Sequence, residues 1–432
     1  MNRRDFLLSS AGAAMLVACT KNGVTESNAV PLTDATATTW PTLTTEAEFV
    51  PSSTAPPDTT APAGVTTSTL SSARAGNLPA DGVLVVVEFN GGNDALNTVV
   101  PIQGRYHDIR PTIGHNDSDL LAIPGTTAYG LHPALAPMKG LIDAGRMTTL
   151  AGVGFELPTR SHFMALDMWW QADPAASSVT GWLGRGLDAI GAGAQGPSSG
   201  ISLGSTGTAL QALNVRTTLI HTPKEFALAI PEGTDAAAVT AGWSALSESY
   251  SSSLAAVGLL TSVKTSDAAA DAVLDLPGAK SITAQLITAA RLIETDPTIR
   301  TIYIAARGFD THANQLERHH ALLTDFAIGV QAFFDRVNAS GVGERVMMMT
   351  TSEFGRRSYE NASGGTDHGK AGALFLIGPA TTGNLHGDLN LENLDDGDVI
   401  AHIDPRSLYA TGLDWLGAPA DEILGGTFER LW

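Results

Sequence analysis

The sequence predicts an α/β fold of three layers, with a mostly parallel central sheet flanked by helices on both faces. Three observations carry this prediction. Four segments are near-continuous apolar runs, stretches with helical period lie between them, and glycine-rich polar clusters border the runs. Residues 83–89 (VLVVVEF) open the series without alternation of polar and apolar, the pattern of a strand buried on both faces. Residues 134–144 and 162–171 read as helices, and a third helix follows at 281–294. The second strand is 301–306 (TIYIAA). After it, Leu316, Leu323, Phe326 and Val330 mark the apolar stripe of a long helix over 314–338. Residues 345–351 (RVMMMTT) and 373–377 (ALFLI) complete the strands. Strands alternating with helices favour parallel pairing, and ligands then gather at the carboxyl ends of the strands.

With 432 residues, 43% of them hydrophobic, the chain can bury a large core, which excludes a stapled mini-protein. Lys and Arg number 25 against 44 Asp and Glu, a formal net charge of −19. With no basic patch visible, nucleic acid is excluded as a partner. The single cysteine, Cys19, rules out internal disulfides and multi-cysteine metal sites. Any metal must be held by His, Asp, Glu, Asn or hydroxyls.

Residues 2–8 (NRRDFLL) place paired arginines ahead of an apolar run, 7–18, that is too short to span a bilayer as a stable anchor. This is the pattern of a twin-arginine export signal. Leu16-Val17-Ala18-Cys19 follows and resembles the bacterial lipobox, in which the cysteine is acylated and becomes the first residue; ordinary cleavage at the small residues is the alternative. The expectation is therefore a signal over 1–19, lipidation at Cys19, and a periplasmic or cell-surface protein tied to the membrane by that lipid. From 20 to 80, Thr, Ala, Pro and Ser dominate without period, which reads as a disordered tether. The folded body is expected over 81–432. Its Ala-, Ser- and Thr-rich 190–280 stretch reads as an insertion or cap with a helix near 236–254.

The ends of the strands carry the candidate site. Asn90-Gly91-Gly92-Asn93-Asp94 follows the first strand and Gly308-Phe309-Asp310-Thr311-His312 the second. Ser352-Glu353-Phe354-Gly355-Arg356-Arg357 follows the third, and Gly365-Thr366-Asp367-His368-Gly369 stands just before the fourth. Carboxylates, imidazoles and amides thus collect beside glycines that permit tight turns and close backbone approach. Each residue also has an ordinary reading. Asp310 and His312 can pair with each other or cap the helix near Asn314. Ser161 can be a plain N-cap, with Met164 at the capping-box position instead of Glu or Gln. Arg356 and Arg357 can be ion-paired surface groups. His132 reads as a turn or cap, His162 as at best a wall of the site, and His319 and His320 as partly buried histidines beside it. Trp169, Trp170 and Trp182 read as core. Gly200-Ile201-Ser202-Leu203-Gly204 matches the nucleophile-elbow pattern, but no buried strand reads before it and no helix after it, so Ser202 is set aside.

Taken with Leu131-His132-Pro133, Ser161-His162-Phe163 and Gly181-Trp182-Leu183-Gly184-Arg185, these ordered motifs resemble the bacterial domain of unknown function 1501 family over residues 82–432. That family is regarded as a relative of the alkaline phosphatase and sulfatase superfamily, so the resemblance implies an alkaline-phosphatase-like arrangement of the three layers. It also implies a divalent metal, Zn or Mn ahead of Mg, with Asn90, Asp94, Asp310, His312, Glu353, Asp367 and His368 as candidate ligands. Ser161 falls at the nucleophile position, and Arg356 is the candidate clamp on an anionic group, with Arg357 and Lys370 as alternates. Glu353 stands where relatives carry Asp and Phe354 where they carry His, so one ion or a degenerate pair is expected in place of two. Two functions follow. One is a metal-dependent hydrolase acting on a small anionic ester of phosphate or sulfate. The other is a non-catalytic cell-envelope binding or assembly protein with a degenerate metal site, working with a co-exported envelope protein.

Overall fold

The apolar run at the start of the body forms strand β1, Val83–Asn90, in the middle of an eight-stranded sheet in the computed structural model. The structure describes residues 78–156, 158–192, 199–204, 207–220, 258–259, 263 and 267–432. The chain divides into two units, Met1–Ser72 and Ala73–Trp432, and the described residues all belong to the second. The export signal, Cys19, nearly all of the tether and the helix expected at 236–254 lie outside the described residues.

The other strands are β2 (Met147–Val153), β3 (Gly200–Leu203), β4 (Thr218–Ile220), β5 (Thr301–Arg307), β6 (Val346–Thr351), β7 (Gly372–Ile377) and β8 (Leu385–Gly387). Their order across the sheet is β8-β2-β7-β6-β1-β5-β3-β4. β1 pairs in parallel with β5 and β6, and β3 with β4 and β5. β7 alone opposes its neighbours β2 and β6, while β8 runs parallel to β2.

The side chains of β1 alternate between two cores, as strand geometry requires. Val83, Val85, Val87 and Phe89 enter one, where helices α3 (Ser281–Thr295) and α4 (Gln315–Ala339) pack. Leu84 and Val86 enter the other, against α1 (His162–Gln171), α2 (Trp182–Ala189) and α5 (Pro405–Trp415). A buried sheet between two helical layers is the fold class that the apolar runs predict.

Two readings need correction. The stretch 134–144 is not one helix. It is a 3-10 segment, Pro133–Met138, followed by a short α-helix, Lys139–Asp143, because Pro137 has no N–H for a continuous ladder. Strands β2, β3, β4 and β8 were not expected; β2 (MTTLAGV) and β3 (GISL) dilute their apolar residues with threonine, serine and glycine, and β4 (TLI) and β8 (LHG) have three residues each. Ser202 therefore sits inside a buried strand and not on an elbow, which agrees with setting it aside as a nucleophile.

The antiparallel course of β7 matters for the site. A strand that runs backwards brings its amino end to the edge where the others present their carboxyl ends. The Gly365–Gly369 motif, which precedes β7, thereby joins the loops that follow β1, β5 and β6.

Candidate metal centre

Glycine brings the site loops together. After β1 the chain turns through Gly91 and Gly92, with φ of +125° and +80°. A Cβ on Gly91 would stand 2.2 Å from the backbone nitrogen of Asp310, and only glycine permits that approach. The loops after β6 and before β7 are joined by an isolated bridge between Arg356 and His368.

Four donors converge where these loops meet. His312 Nε2 and His368 Nε2 each lie 3.1 Å from Asp310 Oδ1 and 2.9 Å from each other. His162 Nε2, from the first turn of α1, lies 3.7 Å from the same oxygen. One donor atom each from His162, Asp310 and His368 falls within 4.8 Å of the others. Ligands at 2.0–2.1 Å around a tetrahedral cation would be about 3.3 Å apart, so the spacing suits a single ion held by His162, Asp310 and His368, with His312 beside them.

The hydrogen bonds on the far sides of the three imidazoles assign one tautomer to each. His162 Nδ1 donates to Glu353 Oε1 at 2.8 Å, His312 Nδ1 to Asp367 Oδ1 at 3.2 Å, and His368 Nδ1 to the carbonyl of Arg160 at 3.0 Å. Each proton is thus assigned to the outer nitrogen, which leaves every Nε2 lone pair facing inward. Three lone pairs and a carboxylate facing one point repel each other unless a cation lies between them. The donor set of neutral imidazoles and one carboxylate fits Zn or Mn.

The surroundings tune these groups. Burial alone would raise the Asp310 carboxyl, but the hydrogen bond and the positive charge of Arg356 outweigh it and hold the pKa at about 2. The hydrogen bond to Glu353 raises His162, and burial lowers His368. Phe354 packs its ring against His162 and His368, with centroids 4.9 and 4.6 Å away. It forms an apolar wall where the resemblance expected another ligand.

The structure brings together Asp310, His312 and His368, with Glu353 and Asp367 one bond behind them. Glu353 Oε1 accepts from His162 and from the N–H of Gly91 at 2.8 Å, and its Oε2 is buried with no hydrogen-bond partner among the described residues. These two carboxylates orient imidazoles and do not stand among the converging donors.

Asn90 and Asp94 do not reach the centre, contrary to expectation. The Asn90 amide donates to Glu88. Asp94 is buried against Arg110 at 2.6 Å, caps the short helix Ala95–Thr98, and accepts from Gln315. Arg356 is also not the expected clamp. Its guanidinium is buried and donates to the carbonyls of Gly91, Gly92, Phe309 and Thr366 and to Asp310 at 2.7 Å, so it holds the site loops together. Arg357 is ion-paired with Asp396 and Asp398, and Lys370 with Asp395. His132 caps the segment Pro133–Met138, as expected of a turn residue. His319 bonds Asn93 at 2.9 Å, in a buried group with His115 and His132 apart from the four donors.

Ser161 lies between Arg160, whose carbonyl holds His368, and the donor His162. It is the N-cap residue of α1, and its hydroxyl makes no capping hydrogen bond among the described residues. His162 is the residue the sequence reading undervalued. Its signal was its position at the start of a helix after a strand, hidden because β2 was not recognised as that strand.

Comparison with curated proteins finds no match. Among solved structures, the chain is similar to the lipoteichoic acid synthase LtaP from Listeria monocytogenes, with TM-score 0.40 and 9% identity over 80% of this chain and 75% of that one. It is also similar to the C-terminal periplasmic domain of EcEptC from Escherichia coli, with TM-score 0.38 and 9% identity over 81% and 85%. A protein in the alkaline phosphatase superfamily from Vibrio parahaemolyticus gives TM-score 0.36 and 7% identity over 78% and 66%. Residues 158–432, which hold all four converging donors, match the family described as protein of unknown function (DUF1501), and the chain belongs to that family.

Proposed function

We propose that this chain is an exported, lipid-anchored hydrolase of phosphate or sulfate esters that depends on one divalent metal. The observation that supports it is the convergence of three inward-facing Nε2 atoms on Asp310 Oδ1, each held by a hydrogen bond on its far side. His162, Asp310, His312 and His368 would hold the ion, which when bound supplies positive charge to neutralise an ester oxygen and to activate a hydroxyl. Ser161 is the nucleophile in this reading. Its hydroxyl is not engaged in capping, and the first-turn N–H groups of α1 lie beside it to receive an anion. Arg356 keeps Asp310 ionised and aimed, and Glu353 keeps the His162 proton on the outer nitrogen. The twin arginines and Cys19 support export and anchoring.

A second reading has its own support. Arg160, Arg356, Arg357 and Lys370 are all ion-paired, so none of these four is left free to grip the ester. On that reading the centre serves binding or assembly in the cell envelope. Metal analysis with turnover of phosphate and sulfate esters separates the two. The hydrolase reading expects about one metal per chain and a turnover that Asp310→Ala and His368→Ala abolish together with the metal. Stoichiometric metal without turnover of any ester supports the binding reading.

A further inference from the structure

We infer that the face of α1 bearing Phe163 is a subsite for an uncharged aryl or alkyl group on the alcohol side of the ester. This rests on the reading of the centre as an ester-binding site. Phe163 directly follows the donor His162, and 84% of its surface is exposed, the largest exposure among the big apolar side chains of the described residues. Successive helical residues turn by about 100°, so residues seven apart share a face. Phe163 therefore shares its face with Trp170. That indole donates to Glu88 Oε2 at 2.6 Å, near the carboxyl end of β1, and to the hydroxyl of Tyr303 in β5 at 3.2 Å. The Phe163 face thus looks across the edge of the sheet that carries the centre. Met164, 60% exposed, turns a further 100° away from His162.

Charge selects the kind of group. Arg160, Arg356, Arg357 and Lys370 are each spent on an ion pair, while Asp367, with no Lys or Arg paired to it among the described residues, keeps more than half of its side chain exposed. A polyanionic alcohol portion would meet the Asp367 carboxylate and none of these four cations free to pair with it. An apolar one would cover an aromatic ring that otherwise stands in water, and that burial is favourable.

The test is calorimetric binding of benzylphosphonate and methylphosphonate, with the matching sulfonates, to the metal-loaded full chain. Wild type is expected to bind the benzyl compound about tenfold more tightly than the methyl one. Phe163→Ala should remove that preference and Met164→Ala should keep it, both with unchanged metal content. Equal affinities in wild type, a preference that survives Phe163→Ala, or no binding of any of the four compounds would overturn the subsite. A Phe163-dependent preference in a protein that turns over no ester would keep the subsite and remove the hydrolase reading. Turnover of benzyl and methyl esters with equal efficiency would do the reverse.

Discussion

Each imidazole of the centre relies on the group behind it. Replacing Glu353 by Ala frees His162 to change tautomer and rotamer, so metal affinity should fall about 10- to 100-fold in a chelator competition. Ser161→Ala should abolish ester turnover and leave the thermal midpoint unchanged, because its hydroxyl caps nothing; an N-cap role would instead cost about 1 kcal/mol of stability. The histidines of the neighbouring buried group set the acid limit of the fold. Burial lowers His115 and His132 and pushes His319 down to about 4. A histidine lowered on folding contributes fully above its unfolded value near 6.5, and its contribution is lost as pH falls through the folded value. For His319 alone that amounts to about 3 kcal/mol between pH 6.5 and 4. Glu88, raised by burial to about 6, acts oppositely, contributing below 4.5 and losing its contribution as pH rises through 6. Urea unfolding across pH 4–7 should therefore show a steep acid loss. His132→Asn, which retains an acceptor for the Ala134 N–H, should flatten it. At this scale Asp310, His312 and His368 were legible because each lies beside glycine at a strand end. Asn90, Asp94 and Arg356 fit the same rule but are spent on Glu88, on Arg110 from a segment without a motif, and on the Gly91 and Gly92 carbonyls, pairings that strand-end position does not reveal.

Helix contacts place the donors, and one of them is a cap made between helices. Asp325, buried in α4, accepts from the backbone nitrogens of Lys280, Ile282 and Thr283 and from the Thr283 hydroxyl at the start of α3. Asp325→Ala would strand those donors in a buried place and should lower stability by about 2–4 kcal/mol in denaturant unfolding, with metal content intact. A loss below 1 kcal/mol would show that water replaces the carboxylate. Such a cap was not legible, because Asp325 sits in mid-helix 42 positions from Thr283. Element boundaries were legible where period and chemistry agreed. Helix α1 begins at His162, as its pattern indicates, and α4 runs from Gln315 after Asn314 in the left-handed region. Strand β2 was missed because Thr148 and Thr149 interrupt its apolar run, although both are buried within the sheet. Losing β2 hid the loop that leads to His162.

At the scale of the unit Ala73–Trp432, the described residues form a sheet that sends its polar loops to one edge and closes that edge with a reversed strand. The fold class was legible because β1, β5 and β6 need both faces covered. The direction of β7 was not, since an apolar run carries no sign of which way it points. Among the described residues no helix is long and apolar enough to cross a membrane. A bound ion would tie together the loops after β2 and β5 and the one before β7, so metal should stabilise the fold as a whole. At a thousandfold excess over the dissociation constant the gain is about 4 kcal/mol, and removal by chelator should lower the thermal midpoint accordingly. The most direct test is X-ray absorption at the edge of the metal that copurifies with the protein. The account predicts a shell of imidazole nitrogens and one oxygen near 2.0–2.1 Å, which loses nitrogen in His312→Ala and His368→Ala. No stoichiometric metal, or a shell of oxygens alone that both substitutions leave unchanged, would contradict it.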